Sequence, residues 1–307
     1  MSKIHSTDFK RDAFRLNDGA HQVFANNKQG LAALRTWIGA GPLDRVVYEA
    51  TGAYHGLMER TFSGHLPLIK VNPLQAKRFA QSTGARAKTD RADAAMLAQM
   101  GAALQLEPDA PLPEDHHEIS ELQTARTGLI KAATRAKNQL AQQTIPMLRK
   151  MTCARIRQIK GQIAKLDTEI DAQIATCPKR ARKVQILQSI PGVGAVLART
   201  VLIEMPEIGT LTNKAVAALT GLAPYARQSG KWRGKAFISG GRKRLRDALY
   251  MPALVAMRFN PDMNAKYNAM KAAGKPAKVA ITAIMRKLII LANTLIKQDR
   301  MWSENYA

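Results

Sequence analysis

Two long apolar stripes with helical spacing constrain this 307-residue chain more than any other feature. Residues three and four apart share one face of a helix, so such stripes predict amphipathic helices. The first stripe is interrupted only by Arg126 and consists of Ile119, Leu122, Leu129, Ala133, Ala136 and Leu140. The second is cleaner and consists of Ile156, Ile159, Ile163, Leu166, Ile170 and Ile174.

Pro146 lies between the two stripes and should kink or break the helix there. The sequence therefore predicts a helical hairpin or a coiled coil. The apolar seam formed by these stripes serves either dimerisation, which we favour, or packing of the helices on their own domain.

The first hundred residues alternate strand-like and helix-like signals. The segments "HQVFANN", "RVVYEATG" and "LPLIKVNP" are β-branched or aromatic runs closed by turn residues, and "GLAALRTWIGA" has helical spacing. This order predicts an α/β domain. The proline-rich, acidic segment 106–115 is interpreted as a linker. We therefore predict three parts, 1–105, 106–180 and 181–307.

The last part is expected to be mainly helical. Its segment "SIPGVGAVLARTVL" has the glycine spacing of a helix-hairpin-helix turn, which exposes N–H groups to a phosphate. A tight turn between packed helices explains the same glycines equally well. The segment "PAKVAITAIMRKLIILANTLIK" predicts a long helix with Pro276 at its first turn.

The charge of the chain indicates a polyanionic partner. Lys and Arg number 47 against 23 Asp and Glu, a formal net charge of +24, and residues 201–307 carry half of it. Nucleic acid is the commonest such partner, ahead of a merely basic, solvated surface. The two cysteines, Cys153 and Cys177, follow no zinc pattern and are expected to be reduced. The polar start and the short apolar run 288–292 predict a cytoplasmic protein without a membrane span.

Four acids of the first hundred residues could hold metal ions. Asp8 stands in a candidate first strand, Glu49 ends the strand "RVVYE", and Asp90 and Asp93 share one face at a helix start. Carboxylate oxygens suit Mg²⁺, and two such ions can assist phosphodiester cleavage. Capping explains the helical pair as well, with Asp90 as N-cap and Asp93 in the first turn. Glu49 alone could be a solvated strand end.

Several blocks together resemble the DEDD transposases of bacterial insertion sequences. They are "VVYEATGAY", "VNPLQAKRFAQSTGARAKTDRADAAMLA", "SIPGVGAVLARTVL" and "GLAPYARQSGKWRG" with "GGRKRLRDALYMPALVA". The resemblance implies a ribonuclease-H-like (RuvC-like) domain, a coiled coil and a C-terminal transposase domain. It further implies Mg²⁺, DNA cleavage by a serine nucleophile, a guide (bridge) RNA, and dimers that pair into tetramers. Such a protein would be associated with the nucleoid.

The resemblance assigns the metal ligands to Asp8, Glu49, Asp90 and Asp93. Asp8 is matched because Phe14 stands six residues later, although the preceding "IHST" is polar where the family strand is apolar. The first strand is thus either an altered edge or a degenerate start of the chain. Lys77, Arg78, Arg86, Lys88 and Arg91 would form a basic rim around the acids.

The nucleophile implied by the resemblance is Ser229, which follows the "GLAP" block, and Ser239 in "FISGGRK" is its competitor. Arg227, Lys231 and Arg233 would hold the scissile phosphate. The run Arg242, Lys243, Arg244 and Arg246 would contact the DNA backbone. A metal-dependent nuclease without a covalent intermediate, and a decayed copy that only binds nucleic acid, are the two alternative functions.

Overall fold

The computed structural model describes residues 4–7, 12–16, 18–50, 55–84, 89–113, 115–230 and 232–303, with only the backbone at 4–7, 12 and 15. The chain divides into two compact units, Met1–His117 and Glu118–Ala307. The described residues form twelve helices and nine short strands, so helix predominates.

The first unit is built on a five-stranded mixed sheet. Its strands are β1 (Ile4–Thr7), β2 (Asp12–Arg15), β3 (His21–Val23), β4 (Arg45–Glu49) and β5 (Leu68–Val71), in the order β3-β2-β1-β4-β5. Strands β1, β4 and β5 are parallel, and β2 runs antiparallel to both its neighbours. The polar strand β1 is therefore internal to the sheet, and its interpretation as an altered edge is wrong.

Helices cover both faces of this sheet. They are α1 (Lys28–Ile38), α2 (Gly56–Phe62), α3 (Pro73–Ser82) and α4 (Asp90–Ala103). Since side chains alternate along a strand, Val46 and Tyr48 face one core, which α1 and α2 complete. Val47 faces the other, together with residues of β5, α3 and α4. The predicted strands 45–49 and 68–71 and the predicted helix after residue 28 are confirmed.

The first segment of the chain differs from the prediction. The candidate strand around Asp8 is two strands, β1 and β2, and Asp8 itself lies outside the described residues. Segment 106–113 has no regular structure, but it is attached to the sheet. The backbone of Asp109 donates to the Leu68 carbonyl (2.8 Å), and its carboxylate accepts from the Lys70 N–H (2.7 Å). The three-part domain division stays a prediction.

The two predicted long helices are α5 (His116–Gln142) and α6 (Pro146–Ala175), and they belong to the second unit except for the first two residues of α5. Pro146 is the first residue of α6, where its missing N–H costs no hydrogen bond. Ile119 of α5 packs with Ile170 and Ile174 of α6, so the helices are antiparallel. The apolar seam is thus buried within the chain itself, which supports the packing alternative.

The remaining helices form one core. They are α7 (Pro178–Ser189), α8 (Ala195–Glu204), α9 (Asn213–Leu219), α10 (Lys243–Phe259), α11 (Pro261–Ala272) and α12 (Ala277–Lys297). Helix α12 is long and apolar enough to cross a membrane, but its buried residues belong to this core, which makes it a core helix. Pro276 is the N-cap of α12, one residue before the helix.

Four two-residue strands interrupt the helices of this unit, and the sequence did not predict them. They are β6 (Pro224–Tyr225), β7 (Gln228–Ser229), β8 (Trp232–Arg233) and β9 (Phe237–Ile238). β7 pairs with β8 and β6 with β9, both antiparallel, so segment 224–238 is a hairpin. We call it the 224–238 hairpin.

Candidate functional site

At the start of α4, the residue that caps the helix is neither of the two candidate metal-binding acids. Thr89 is the N-cap, because its Oγ1 accepts a hydrogen bond from the Ala92 N–H at 3.2 Å. The prediction that Asp90 could be the N-cap is therefore wrong, since Asp90 is the first helical residue. Asp93 follows in the first turn, and both side chains are half-buried. The helix has its cap without them, although both remain well placed in the field of its positive end.

Glu49 lies on the face of the sheet that α4 covers. It is two residues beyond Val47, so the two side chains point to the same side of β4. Val47 in turn packs against Gly101 near the end of α4, and the Arg45 Nη1 donates to the Gly101 carbonyl at 2.8 Å. The end of α4 is thus fixed at the start of β4. Asp90 begins the same helix about 16 Å away along its axis.

A polar cluster that is buried at Tyr48 and Glu59 lies on the opposite face of β4, and sequence reasoning missed it. The Tyr48 hydroxyl donates to Glu59 of α2, and the Lys70 ammonium of β5 pairs with the same carboxylate. His55 lies 3.9 Å from Glu59. Tyr48 and Lys70 are register partners on adjacent strands, so the cluster ties α2, β4 and β5 together next to Glu49.

This cluster changes the protonation of its members. Burial alone would raise the pKa of Glu59. The hydrogen bond and positive charge of Lys70, with the hydrogen bond from Tyr48, outweigh this effect, so the pKa is lowered. Burial, with the Glu59 charge, raises the pKa of Tyr48 far above its ordinary value. Burial, then the charge of Lys70, lowers the pKa of His55. Glu59 is therefore an anion and His55 neutral at pH 7.

The described part of the first unit holds no ready-made metal centre. No three Asp, Glu, His or Cys side chains in the described ranges of the chain lie together as a metal-binding group. Asp8 lies outside those ranges, directly after β1, whose last residue Thr7 pairs with Tyr48. Of the predicted basic rim, Lys77, Arg78 and Arg91 are exposed, and Arg86 and Lys88 lie outside the described residues.

Ser229 lies at the turn of the 224–238 hairpin. It ends β7 and pairs with Trp232 across the turn, and Gly230 between them has a φ of +56°. That conformation strains most side chains but not glycine. Ser229 is exposed, which the predicted role as nucleophile would require. Of its predicted phosphate ligands, Arg233 is exposed, Arg227 lies over the Phe237 ring at 4.5 Å, and Lys231 is outside the described residues.

Ser239, the competitor, is also exposed but belongs to a packed loop. The following Gly241 has a φ of +66°, and a Cβ atom there would come within 2.1 Å of the Gly221 nitrogen. The Arg242 N–H donates to the Leu219 carbonyl at 2.6 Å, and Arg246 donates to the Gly240 carbonyl. The glycines after Ser239 therefore serve a close backbone contact, and those bonds hold the loop in place.

The basic run after Ser239 has partners within its own unit. Arg242 bonds the Glu204 carbonyl (2.7 Å) and the Glu207 carboxylate (2.5 Å). Arg244 bonds Thr124 of α5 at 3.0 Å. Lys243 pairs with Asp247 on the surface. DNA contact by Arg242, Lys243, Arg244 and Arg246 stays a prediction, and each contact would compete with one of these bonds.

The helix-hairpin-helix-like turn is tightly packed at its first glycine. Gly192 has a φ of +95°, and a Cβ atom there would come within 2.7 Å of the Ala256 nitrogen in α10. Packing therefore explains Gly192. Gly194, the N-cap of α8, has no atom near its Cβ position and is exposed. Only this second glycine leaves a helix start open to a phosphate.

Comparison with known proteins defines the class. A model described as Transposase IS116/IS110/IS902 family matches residues 184–268, which include both serines. A model for a DEDD-type transposase of the IS110 kind matches residues 15–146, which include Glu49, Asp90 and Asp93 but not Asp8. The chain belongs to the IS110 family of DEDD transposases, and it is a DNA transposase or recombinase. Membership implies use of a divalent metal.

Two relatives match nearly the whole chain. The pilin gene-inverting protein of Moraxella lacunata is 33% identical over 91% of this chain and 89% of its own length. The pilin gene-inverting protein of Moraxella bovis is 32% identical over 98% of both. A 42 kDa protein of the insertion element IS900 from Mycobacterium paratuberculosis is 30% identical over 58% of this chain and 46% of its own.

Proposed function

We propose that this transposase cleaves and rejoins DNA through Ser229, with Mg²⁺ held by Asp8, Glu49, Asp90 and Asp93. The observation that carries the proposal is the position of Ser229, exposed at the turn of a hairpin that contains no acid between residues 224 and 242. Its two long relatives are named pilin gene-inverting proteins, and the inversion of a gene is a rearrangement of this kind.

The fold of the first unit supports the metal assignment. A mixed sheet with an internal β1, and helices on both faces, agrees with the ribonuclease-H-like class that the family implies. Glu49 faces α4, Thr89 supplies the cap, and Asp90 and Asp93 remain as carboxylates of the first turn. Mg²⁺ commonly takes one or two carboxylates together with substrate phosphates, so a centre completed by Asp8 and DNA fits these residues.

The chemistry at Ser229 is a displacement at phosphorus. The serine hydroxyl gives up its proton as its oxygen forms a bond to phosphorus, and the bond from phosphorus to the 3′ oxygen breaks. The products are a 5′-phosphoserine link and a 3′ hydroxyl, because the 3′ oxygen takes up a proton. Arg227 and Arg233 lie on the same hairpin and would stabilise charge on the phosphate. Bound Mg²⁺ would supply Lewis-acid stabilisation of the leaving oxygen.

The remaining parts of the proposal concern partners and place. Residues 201–307 carry half of the net charge of +24, which supports DNA contact through this unit. A guide RNA that selects the target, a homodimer that pairs into a tetramer, and a cytoplasmic location on the nucleoid follow from the family resemblance. Because the apolar seam between α5 and α6 is buried within one chain, a dimer would form through other surfaces of these two helices.

Trapping the covalent product tests the nucleophile. Purified protein is incubated with its DNA and Mg²⁺, and the products are separated in denaturant. We expect a protein–DNA adduct that disappears in Ser229→Ala and persists in Ser239→Ala. The reverse pattern would assign the reaction to Ser239. Cleaved ends without attached protein would favour the metal-dependent nuclease, in which water attacks.

A further inference from the structure

The 224–238 hairpin carries an unusual concentration of exposed aromatic rings. Five Tyr, Trp or Phe side chains are highly exposed in the described part of the chain, namely Tyr225, Trp232, Phe237, Tyr250 and Phe259. Three of them lie within this one hairpin, and Trp232 is 59% exposed. Rings this exposed contribute little to the core of their own unit, so the core does not explain them.

These rings share one face with Ser229. Tyr225 of β6 and Ser229 of β7 are four residues apart on the same arm of the hairpin, which places their side chains on one side. Arg227 lies between the two strands, and its guanidinium lies over the Phe237 ring at 4.5 Å. Trp232 is the cross-strand partner of Ser229, and Phe237 is the partner of Tyr225, so both belong to the same side. The Tyr225 and Phe237 rings lie 6.1 Å apart, in agreement with this assignment.

A β-bulge keeps the face continuous. Three steps lead from Tyr225 to Gln228 on the first strand and four from Arg233 to Phe237 on the second, so the second strand has one extra residue. The Gly234 N–H donates to the Arg227 carbonyl at 2.8 Å before the bulge. In a strand without a bulge, the odd spacing of five between Trp232 and Phe237 would place these two side chains on opposite sides.

The indole ring of Trp232 lies next to Gly234 of its own strand. A Cβ atom on Gly234 would come within 2.3 Å of the indole ring, so only glycine leaves room for it. The ring is therefore in contact with the hairpin at Gly234, while more than half of the residue's surface stays open to solvent. Trp232 and Phe237 stand opposite Ser229 and Tyr225, which are four residues apart, so the two positions are separated by about 13 Å along the hairpin.

We propose that this face binds unpaired DNA bases beside the cleaved phosphate, with Trp232 and the Tyr225–Phe237 pair as stacking platforms. Base faces stack on aromatic rings in any sequence, and Arg227 over Phe237 adds a cation. The positive charge of this segment indicates a polyanionic occupant, because residues 224–242 contain five Lys or Arg and no Asp or Glu. The inference rests on the proposed function in placing the scissile phosphate at Ser229.

Binding measured without cleavage tests this inference. The full chain is titrated in EDTA against a labelled single-stranded DNA, the same sequence as a duplex, and the same sequence as single-stranded RNA. We expect Trp232→Leu to weaken single-stranded DNA binding by about five- to a hundredfold and duplex binding by less than about twofold. Trp232→Phe, which keeps a ring, should retain most of the affinity and shows that the hairpin still folds.

Tyr250→Leu is the matched control, since Tyr250 is an exposed ring on α10 outside the hairpin. It should leave all three affinities unchanged. A 2-aminopurine base in the single strand should be quenched by the wild type and not by Trp232→Leu. Equal losses on single strand and duplex, no loss, or a loss confined to RNA would overturn the inference. Because no bond is broken in EDTA, these results do not depend on whether Ser229 forms an adduct.

Discussion

Gly101 of α4 lies so close to Val47 of β4 that a Cβ atom on the glycine would come within 2.5 Å of Val47 Cγ2. Val47 is fully buried and β-branched, so it has little freedom to move. This contact sets how near the helix that carries Asp90 and Asp93 comes to the strand that carries Glu49.

Gly101→Ala should therefore destabilise the protein, although alanine favours helix. Overpacking costs about 1–3 kcal/mol, against about 0.5–1 kcal/mol gained from helix propensity. Gly128→Ala and Gly161→Ala are the controls, because both glycines are helical with open space at the Cβ position. They should stabilise, by up to about 1 kcal/mol each. Urea unfolding followed by circular dichroism measures the difference, and equal gains at all three sites would refute the contact.

Capping and metal binding at the start of α4 can be separated by substitution. Thr89→Ala removes the cap and should cost about 1 kcal/mol, whereas Thr89→Ser should restore it. Asp90→Asn and Asp93→Asn keep the size of the side chain and should abolish Mg²⁺-dependent cleavage, with a stability loss of at most about 1 kcal/mol from the lost charge at the helix start. If either asparagine variant cleaves DNA as the wild type does, that carboxylate is not a ligand.

The cluster around Glu59 predicts a loss of stability in acid. The pKa of His55 is lowered in the folded state, so its contribution is complete above its ordinary value of about 6.5 and is lost as the pH falls through the lower folded value. Glu59 behaves likewise below its ordinary value of about 4.5.

Unfolding at a series of pH values measures this dependence. His55→Gln should flatten the slope below pH 6.5, and Glu59→Gln the slope below pH 4.5. A wild-type profile that stays flat between neutral pH and pH 4 would contradict the prediction.

A buried ion-pair group holds the α5–α6 hairpin to α8. Asp167 bonds Arg126 at 2.5 Å and Arg199 at 2.9 Å, and both arginines are less than 10% exposed. Asp167→Asn would leave the buried Arg126 without its carboxylate and Arg199 with only the longer pair to Asp171, so we expect a loss of about 3–5 kcal/mol. Asp171→Asn, at an exposed partner of Arg199, should cost less than about 1 kcal/mol. Thermal unfolding compares the two, and similar losses would rule out the buried pair as the cause.

Arg126 illustrates what spacing could and could not predict. The stripes gave both long helices, because apolar periodicity is a local property of the sequence. Within its stripe Arg126 was a polar interruption without an explanation. Its partner Asp167 is 41 residues away and comes close only when the helices fold back antiparallel. Pairing across a hairpin depends on register, which a stripe does not encode.

The candidate site was predicted unevenly for the same kind of reason. The acids at 49, 90 and 93 stand at element ends that local pattern reveals. Thr89 and Asp90 are both good N-caps, and only the observed hydrogen bond decides between them. The 224–238 hairpin was not predicted, because its strands are two residues long and a bulge interrupts the alternation of their side chains. Its aromatic face depends on cross-strand register, which no stretch of sequence shows by itself.

Segment 106–113, which follows α4, also closes the open side of β5. An edge strand presents unpaired N–H and C=O groups to any passing chain, and proteins rarely leave such an edge bare. Asp109 takes up one donor and one acceptor of β5, and prolines on both sides cannot donate to a further strand. A segment whose composition predicts only a linker therefore covers part of the exposed edge of the sheet. Changing its length would expose that edge, through which copies of the protein could pair and aggregate.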